Sequence, residues 1–133
     1  MNNIVEKEES DFEGRMRLHD ELENKIMKEI RNVTDRKHLP DRRVSFHDEP
    51  VSFDVKTTPN VEDKAHDEYF RLVNEGEKIF IVYQDYDGKL LANWITELKW
   101  SNLKPTSINS TCGDDYYTII GGGMDFHDFL FSV

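Results

Sequence analysis

Cysteine is nearly absent from this chain: Cys112 stands alone among 133 residues. A single thiol excludes a disulfide framework and makes a cysteine-based zinc site a poor expectation. Long apolar runs are missing too. Nothing approaches the ~20 apolar residues that a helix needs to cross a bilayer, so no transmembrane span is expected. The opening MNNIVEKEES lacks a basic stretch followed by an apolar one, so it does not read as a signal peptide. Together these absences point to a reducing cytoplasm. Positive charge is also scarce. Lys and Arg total 17 against 27 Asp and Glu, a formal net charge of −10, which weighs against capture of nucleic acid by a generally basic surface. Two features soften that objection. Arg31, Arg36, Lys37, Arg42 and Arg43 cluster in one stretch, and carboxylates that hold a metal ion are neutralised by it.

What is present suits one small domain. The hydrophobic fraction is 37% against 33% charged, polar for a globule, yet the apolar residues fall in organised runs, so a folded α/β domain is expected over 11–133. Residues 1–10 are acidic and expected to be disordered. Ser10 or Asp11 can cap a helix. Phe12, Met16, Leu18, Leu22, Ile26, Met27, Ile30 and Val33 then recur mostly three and four apart, which predicts an amphipathic helix over 11–32. Thr34 to Leu39 reads as a polar connection. Two strands follow at 41–47 and 51–58, with Asp48-Glu49-Pro50 as the turn between them.

A second helix is expected over 61–75, with Ala65, Tyr69, Leu72 and Val73 as its apolar stripe and Gly76 as its stop. Lys78 to Tyr83 is nearly all apolar and suits a central strand buried on both faces. Asp87-Gly88 marks a hairpin, with Lys89 to Ile95 as the return strand and Glu97 to Trp100 as a short helical turn. Residues 101–115 read as loop and Tyr116 to Ile120 as the last strand. Gly121-Gly122-Gly123 then makes a flexible turn, lacking the Lys-Ser/Thr of a phosphate loop. The aromatic segment Met124 to Val133 either docks on the core or, exposed, forms a dimer contact.

The stretch that carries chemistry is Pro40-Asp41, followed after the hairpin turn by Asp54-Val55-Lys56. Strand alternation sends Asp54 and Lys56 to one face, and Asp41 can join them from the neighbouring strand. Cleaving a phosphodiester calls for a divalent cation that polarises the phosphate and acidifies an attacking water. Mg²⁺ prefers hard oxygen ligands and is usually held by one or two carboxylates plus waters. Asp41 and Asp54 can supply those carboxylates. Lys56 can position or deprotonate the water, or stabilise charge on the phosphate.

This arrangement resembles the PD-(D/E)xK nuclease superfamily, which includes type II restriction enzymes, Holliday-junction resolvases and phage recombination and repair nucleases. The likeness covers about half the chain, from the first helix to the KIFIVY strand. It implies a restriction-endonuclease-like core, a mixed central sheet flanked by helices, and Mg²⁺- or Mn²⁺-dependent cleavage of DNA. Many members place a glutamate on the first helix near the metal. Leu22 to Ile30 resembles that segment in phage junction-resolving endonucleases, with Glu23 followed by Ile26 and Ile30. The resemblance therefore makes Glu23 the third carboxylate, with Glu13 as the fallback. The short link between Glu23 and Asp41 implies a very short or missing first strand. His19, one helical turn before Glu23, resembles the metal-binding histidine of cap-snatching viral endonucleases, a variant that would cleave RNA. Junction nucleases need two active sites, so the resemblance also implies a possible homodimer, in a bacterial host if the protein comes from a phage.

Rival readings stand beside this one. Pro40-Asp41 alone would be a turn, and Asp54 with Lys56 a solvated strand face. Glu23 and His19 would be surface residues of a charged helix. Gln84 would simply end its strand. His47, His66 and His127 are dispersed with nothing to pair them, and Trp94 and Trp100 suit packing more than base stacking. The negative charge would equally suit a small acidic binding protein, a DNA mimic that fills a basic groove on a partner. A nuclease fold turned non-catalytic subunit is a third option, against which the intact acid, acid, lysine set argues.

Overall fold

A computed structural model describes residues 10–30, 34–35, 42–46, 49–101 and 116–132. Helix α1 (Asp11–Glu29) starts where Ser10 Oγ accepts the Glu13 N–H at 3.1 Å, and it carries Asp11 and Glu13 in its first turn and Lys28 in its last. These charges complement the helix dipole. The helix ends three residues earlier than its periodicity suggested, because Ile30 turns to extended backbone as the C-cap. Only the C-terminal half of the predicted stripe packs. Leu22, Ile26 and Ile30 are buried, while Phe12, Met16 and Leu18 stay exposed.

Strands β1 (Thr34–Asp35), β2 (Arg42–Phe46) and β3 (Glu49–Lys56) pair antiparallel in succession. The connection expected at Thr34 to Leu39 thus begins as a two-residue strand. Glu49 and Pro50 belong to β3, opposite Phe46 and Ser45, and not to the turn. Proline is tolerated there because it stands at the start of the strand. Asp48, His47 and Asp41 lie outside the described residues, as do residues 1–9, the basic residues Arg31, Arg36 and Lys37, and all but Ser101 of the stretch 101–115 expected to be loop, Cys112 included.

Strand β4 (Asn60–Glu62) precedes helix α2 (Asp63–Asn74), so the second helix starts two residues later than expected. At its far end Gly76 has φ +98°, and Glu77 N–H reaches back to Leu72 O at 3.0 Å. That left-handed stop is glycine's role. Strand β5 (Ile79–Gln84) runs parallel to β3, with α2 in the crossover, and β6 (Leu90–Trp94) returns beside it. A 3₁₀ turn (Ile95–Glu97) leads into β7 (Lys99–Trp100), so the predicted helical turn is displaced and followed by a strand.

Strand β8 (Tyr116–Gly121) is not the last. β9 (Met124–Asp125) pairs with β6, and α3 (Phe126–Ser132) closes the fold, its first N–H groups capped by Asp125 Oδ1. The glycine run between β8 and β9 is a built turn. Gly122 has φ +87°, its carbonyl accepts a hydrogen bond from the Asn93 side chain, and a Cβ there would collide with the Glu97 carbonyl.

Among the described residues, the main sheet has the order β1-β2-β3-β5-β6-β9, and β4-β8-β7 forms a smaller one. Two cores result. On one face Val51, Phe53, Val55, Phe80 and Val82 pack with Leu22 and Ile26 of α1 and with Phe126 and Phe129 of α3. On the other, Ile79, Ile81 and Tyr83 pack with Val61, with Ala65, Tyr69 and Leu72 of α2, and with Ile119. Strands β3 and β5 are thus sandwiched, which accounts for their unbroken burial. No helix among the described residues is long and apolar enough to cross a membrane.

Candidate active site at the end of the β2–β3 hairpin

Alternation along β3 places Ser52, Asp54 and Lys56 on the face opposite Val51, Phe53 and Val55. Their partners on β5 are Ile79, Ile81 and Tyr83. Asp54 is therefore a carboxylate set into an apolar wall, and it is fully buried. Its Oδ1 accepts the Val55 N–H at 2.9 Å, and its Oδ2 lies 3.2 Å from Lys56 Nζ. A buried charge is tolerated only with such compensation. The Lys56 side chain is 25% exposed, so the pair has one end in the protein and one at the surface. An ammonium there can meet a phosphate oxygen or a water, with the carboxylate oxygen directly behind it.

Strand β2 begins at Arg42, opposite Phe53 on β3. Asp41, the residue before Arg42 in the chain, lies outside the described residues, and Asp54 follows Phe53 on β3. On α1, His19 Nε2 stands 3.9 Å from Glu23 Oε2, and its Nδ1 stands 3.3 Å from Asp20 Oδ1. The Glu23 side chain is only 12% exposed, so it is no ordinary surface charge. Glu13 is exposed in the first turn. The structure thus brings Asp54 to Lys56 and His19 to Glu23. No three His, Cys, Asp or Glu side chains gather as a metal-holding group among the described residues. The hard oxygens of Asp54 and Glu23 suit Mg²⁺ or Mn²⁺ in kind.

Tyr83 was not singled out from sequence, yet it stands beside Lys56 in the parallel ladder. Its apolar run hid it, since nothing in KIFIVY distinguishes a tyrosine that lines a site from one that fills a core. Burial, and secondarily the Asp85 carboxylate, raises its phenol above the ordinary 10.0. A raised folded pKa means that stability is complete below the unfolded value and falls as pH climbs through the folded one. Phenolate absorbance should therefore show one tyrosine ionising later than the rest, and unfolding free energy should decline on the alkaline side of pH ~10. A Tyr83→Phe variant that kept the same alkaline decline would contradict this.

His47 lies outside the described residues, and the other two dispersed histidines each have partners of another kind. His66 stacks on Tyr117 with ring centres 3.9 Å apart and meets Trp100 edge-on at 4.9 Å, while His127 Nε2 stands 2.9 Å from Glu29 Oε2, linking α3 to α1. These partners are distant in sequence, so no local pattern could reveal them. Trp94 packs between Phe80 and Phe129, as expected of a core residue. Gln84 ends β5 opposite Leu90.

The fold is a mixed sheet between flanking helices, with Asp54 and Lys56 on the second strand of a hairpin, and it is similar to that of a solved structure. The solved structure it resembles is Hjc, a Holliday junction resolvase from the archaeal hyperthermophile Archaeoglobus fulgidus. The TM-score is 0.54 over 87% of this chain and 94% of that one. Identity is 8%, so the likeness is one of fold. No protein-family profile and no curated protein sequence matches the chain.

Proposed function

We propose that the protein is a divalent-metal-dependent endonuclease that cuts DNA phosphodiester bonds. A structure-specific substrate in recombination, repair or phage genome processing suits it best. The observation that carries this reading is the buried Asp54 carboxylate 3.2 Å from the part-exposed Lys56 ammonium, placed on a resolvase-like fold. Asp41 and Asp54 would hold Mg²⁺ or Mn²⁺, and Glu23 with His19 beside it, on the helix packed against the other face of β3, would be further ligands. Such a cation supplies phosphate polarisation and an acidified water. Lys56 holds that water or offsets charge developing on the phosphate, and Asp54 fixes where the ammonium points. A homodimer, with one site for each strand to be cut, and a cytoplasmic location belong to the same reading.

The test is a cleavage assay on branched DNA, linear duplex, single-stranded DNA and RNA, with Mg²⁺, Mn²⁺ or chelator. Metal-dependent cutting, strongest on branched DNA and lowered at least ~100-fold by the isosteric Asp54→Asn, is expected. RNA as the preferred substrate would favour the His19 variant of the site. Folded protein that binds no metal and cuts nothing would replace the nuclease with the acidic binding protein, for which the net charge of −10 is the supporting observation.

A further inference from the structure

Tyr86 sits in the turn after β5 and is 76% exposed, yet its ring is not loose. Asn60 Nδ2 donates to its hydroxyl at 3.1 Å, and Asn60 is held in turn by Thr118 Oγ1 at 2.9 Å. An aromatic ring anchored at its polar end and open on its face is a stacking platform. Beside it lies a recess of about 260 Å³, just under the range of ~300–1,000 Å³ for drug-sized sites and suited to one planar ring system. Pro59 and Ile120 give apolar walls, and Gly121 and Gly123 complete the lining. Asp85 lines the same space, as does Tyr83, whose hydroxyl packs against Gly123.

Asp85 is partly committed. Its Oδ1 accepts the Asp87 and Lys89 N–H groups at 2.9 and 2.8 Å, which leaves the second oxygen outside the turn's hydrogen bonding. That oxygen is an acceptor for an N–H donor and would repel a phosphate. The position is telling as well. Tyr83 is the ladder neighbour of Lys56, about 5 Å away across the strands, and Pro59 follows Lys56 by three residues. The recess therefore adjoins the end of the candidate active site.

We propose that this recess receives one unpaired nucleobase bearing an exocyclic amino group (adenine, cytosine or guanine) next to the phosphate held at Lys56. The inference rests on the nuclease reading and deepens it. The base stacks on Tyr86, its amino group donates to Asp85, and Tyr83 closes the far side. A base inside a duplex cannot enter, so the substrate is unpaired beside the cut.

The experiment measures binding by the intact protein in chelator, where no metal-dependent cutting occurs, by fluorescence anisotropy. Its probes are labelled duplexes that are fully paired or carry a single unpaired dA, an unpaired dT or an abasic bulge, with the same set in RNA. Unpaired dA should bind tightest, and either sugar would satisfy the proposal. Adding Tyr86→Ala should cost about tenfold on unpaired dA and little on the paired duplex, the loss of one stacked base. Asp85→Asn keeps the turn's acceptor and replaces the other oxygen with a donor, so it should move the preference from dA to dT. Equal binding of all duplexes, or no effect of Tyr86→Ala, would overturn the recess. Wild-type cleavage without these base preferences would leave the nuclease standing and the recess refuted. Base preference without cleavage under any metal would do the reverse.

Discussion

Lys56→Ala is expected to lower metal-dependent cleavage by about 10²- to 10⁴-fold, the usual worth of a positioned proton-transfer or charge-stabilising group. The same substitution takes the ammonium away from Asp54, a fully buried carboxylate whose Oδ2 faces Lys56 Nζ at 3.2 Å. Since Lys56 keeps some contact with water, the stability loss should be moderate, about 1–3 kcal/mol. The stability effect is isolated in the double variant Lys56→Ala/Asp54→Asn, where a neutral amide at position 54 no longer needs the ammonium and urea unfolding should return toward the parent value. The catalytic effect is read in Lys56→Ala alone, at temperatures where that variant is folded, because Asp54→Asn lowers cleavage by itself. Full cleavage in the single variant would remove Lys56 from the chemistry altogether.

The order of helices and strands that carries this pair was legible in the sequence because each element has its own period. Ser10 before the three-and-four spacing of Leu22, Ile26 and Ile30 marks the first helix. The alternation of Val51, Phe53 and Val55 with Asp54 and Lys56 marks a strand, and places those last two on one face. What sequence missed was set by partners far along the chain. Asn60 to Glu62 is a strand because β8 pairs with it, which no local preference reveals. Met124 and Asp125 form a strand because β6 offers an edge. Glu49 and Pro50 look like turn residues, and they are strand because the β2 register extends to them. The same limit applied at the site. Glu23 is shielded by the way α1 packs, and Tyr83 lies beside Lys56 only through the β3–β5 ladder.

That ladder depends on a ring cluster on its other face, and Phe80→Ala tests it. Phe80 is fully buried. It stacks on Phe53 with centres 5.3 Å apart, meets Trp94 edge-on at 5.9 Å and leans on Phe129 at 5.0 Å. One side chain thus joins β3, β5, β6 and α3. Its removal leaves a cavity that stiff neighbours cannot fill, at an expected cost of about 3–5 kcal/mol. Against a total of about 5–15 kcal/mol for a domain, that is a large share. Urea unfolding should show a lower midpoint with an unchanged slope. Phe131→Ala is the control. Phe131 lies on the same helix as Phe129 but is 90% exposed, so its loss should change stability by no more than about 0.5 kcal/mol. Equal effects at the two positions would mean that α3 does not dock as described. A large effect at Phe80 also reaches the site, since β5 backs Asp54 with Ile81 and Lys56 with Tyr83. Cleavage by Phe80→Ala should then fall off at a lower temperature than the parent's, in step with unfolding. At temperatures where the variant is folded, its rate should match the parent's.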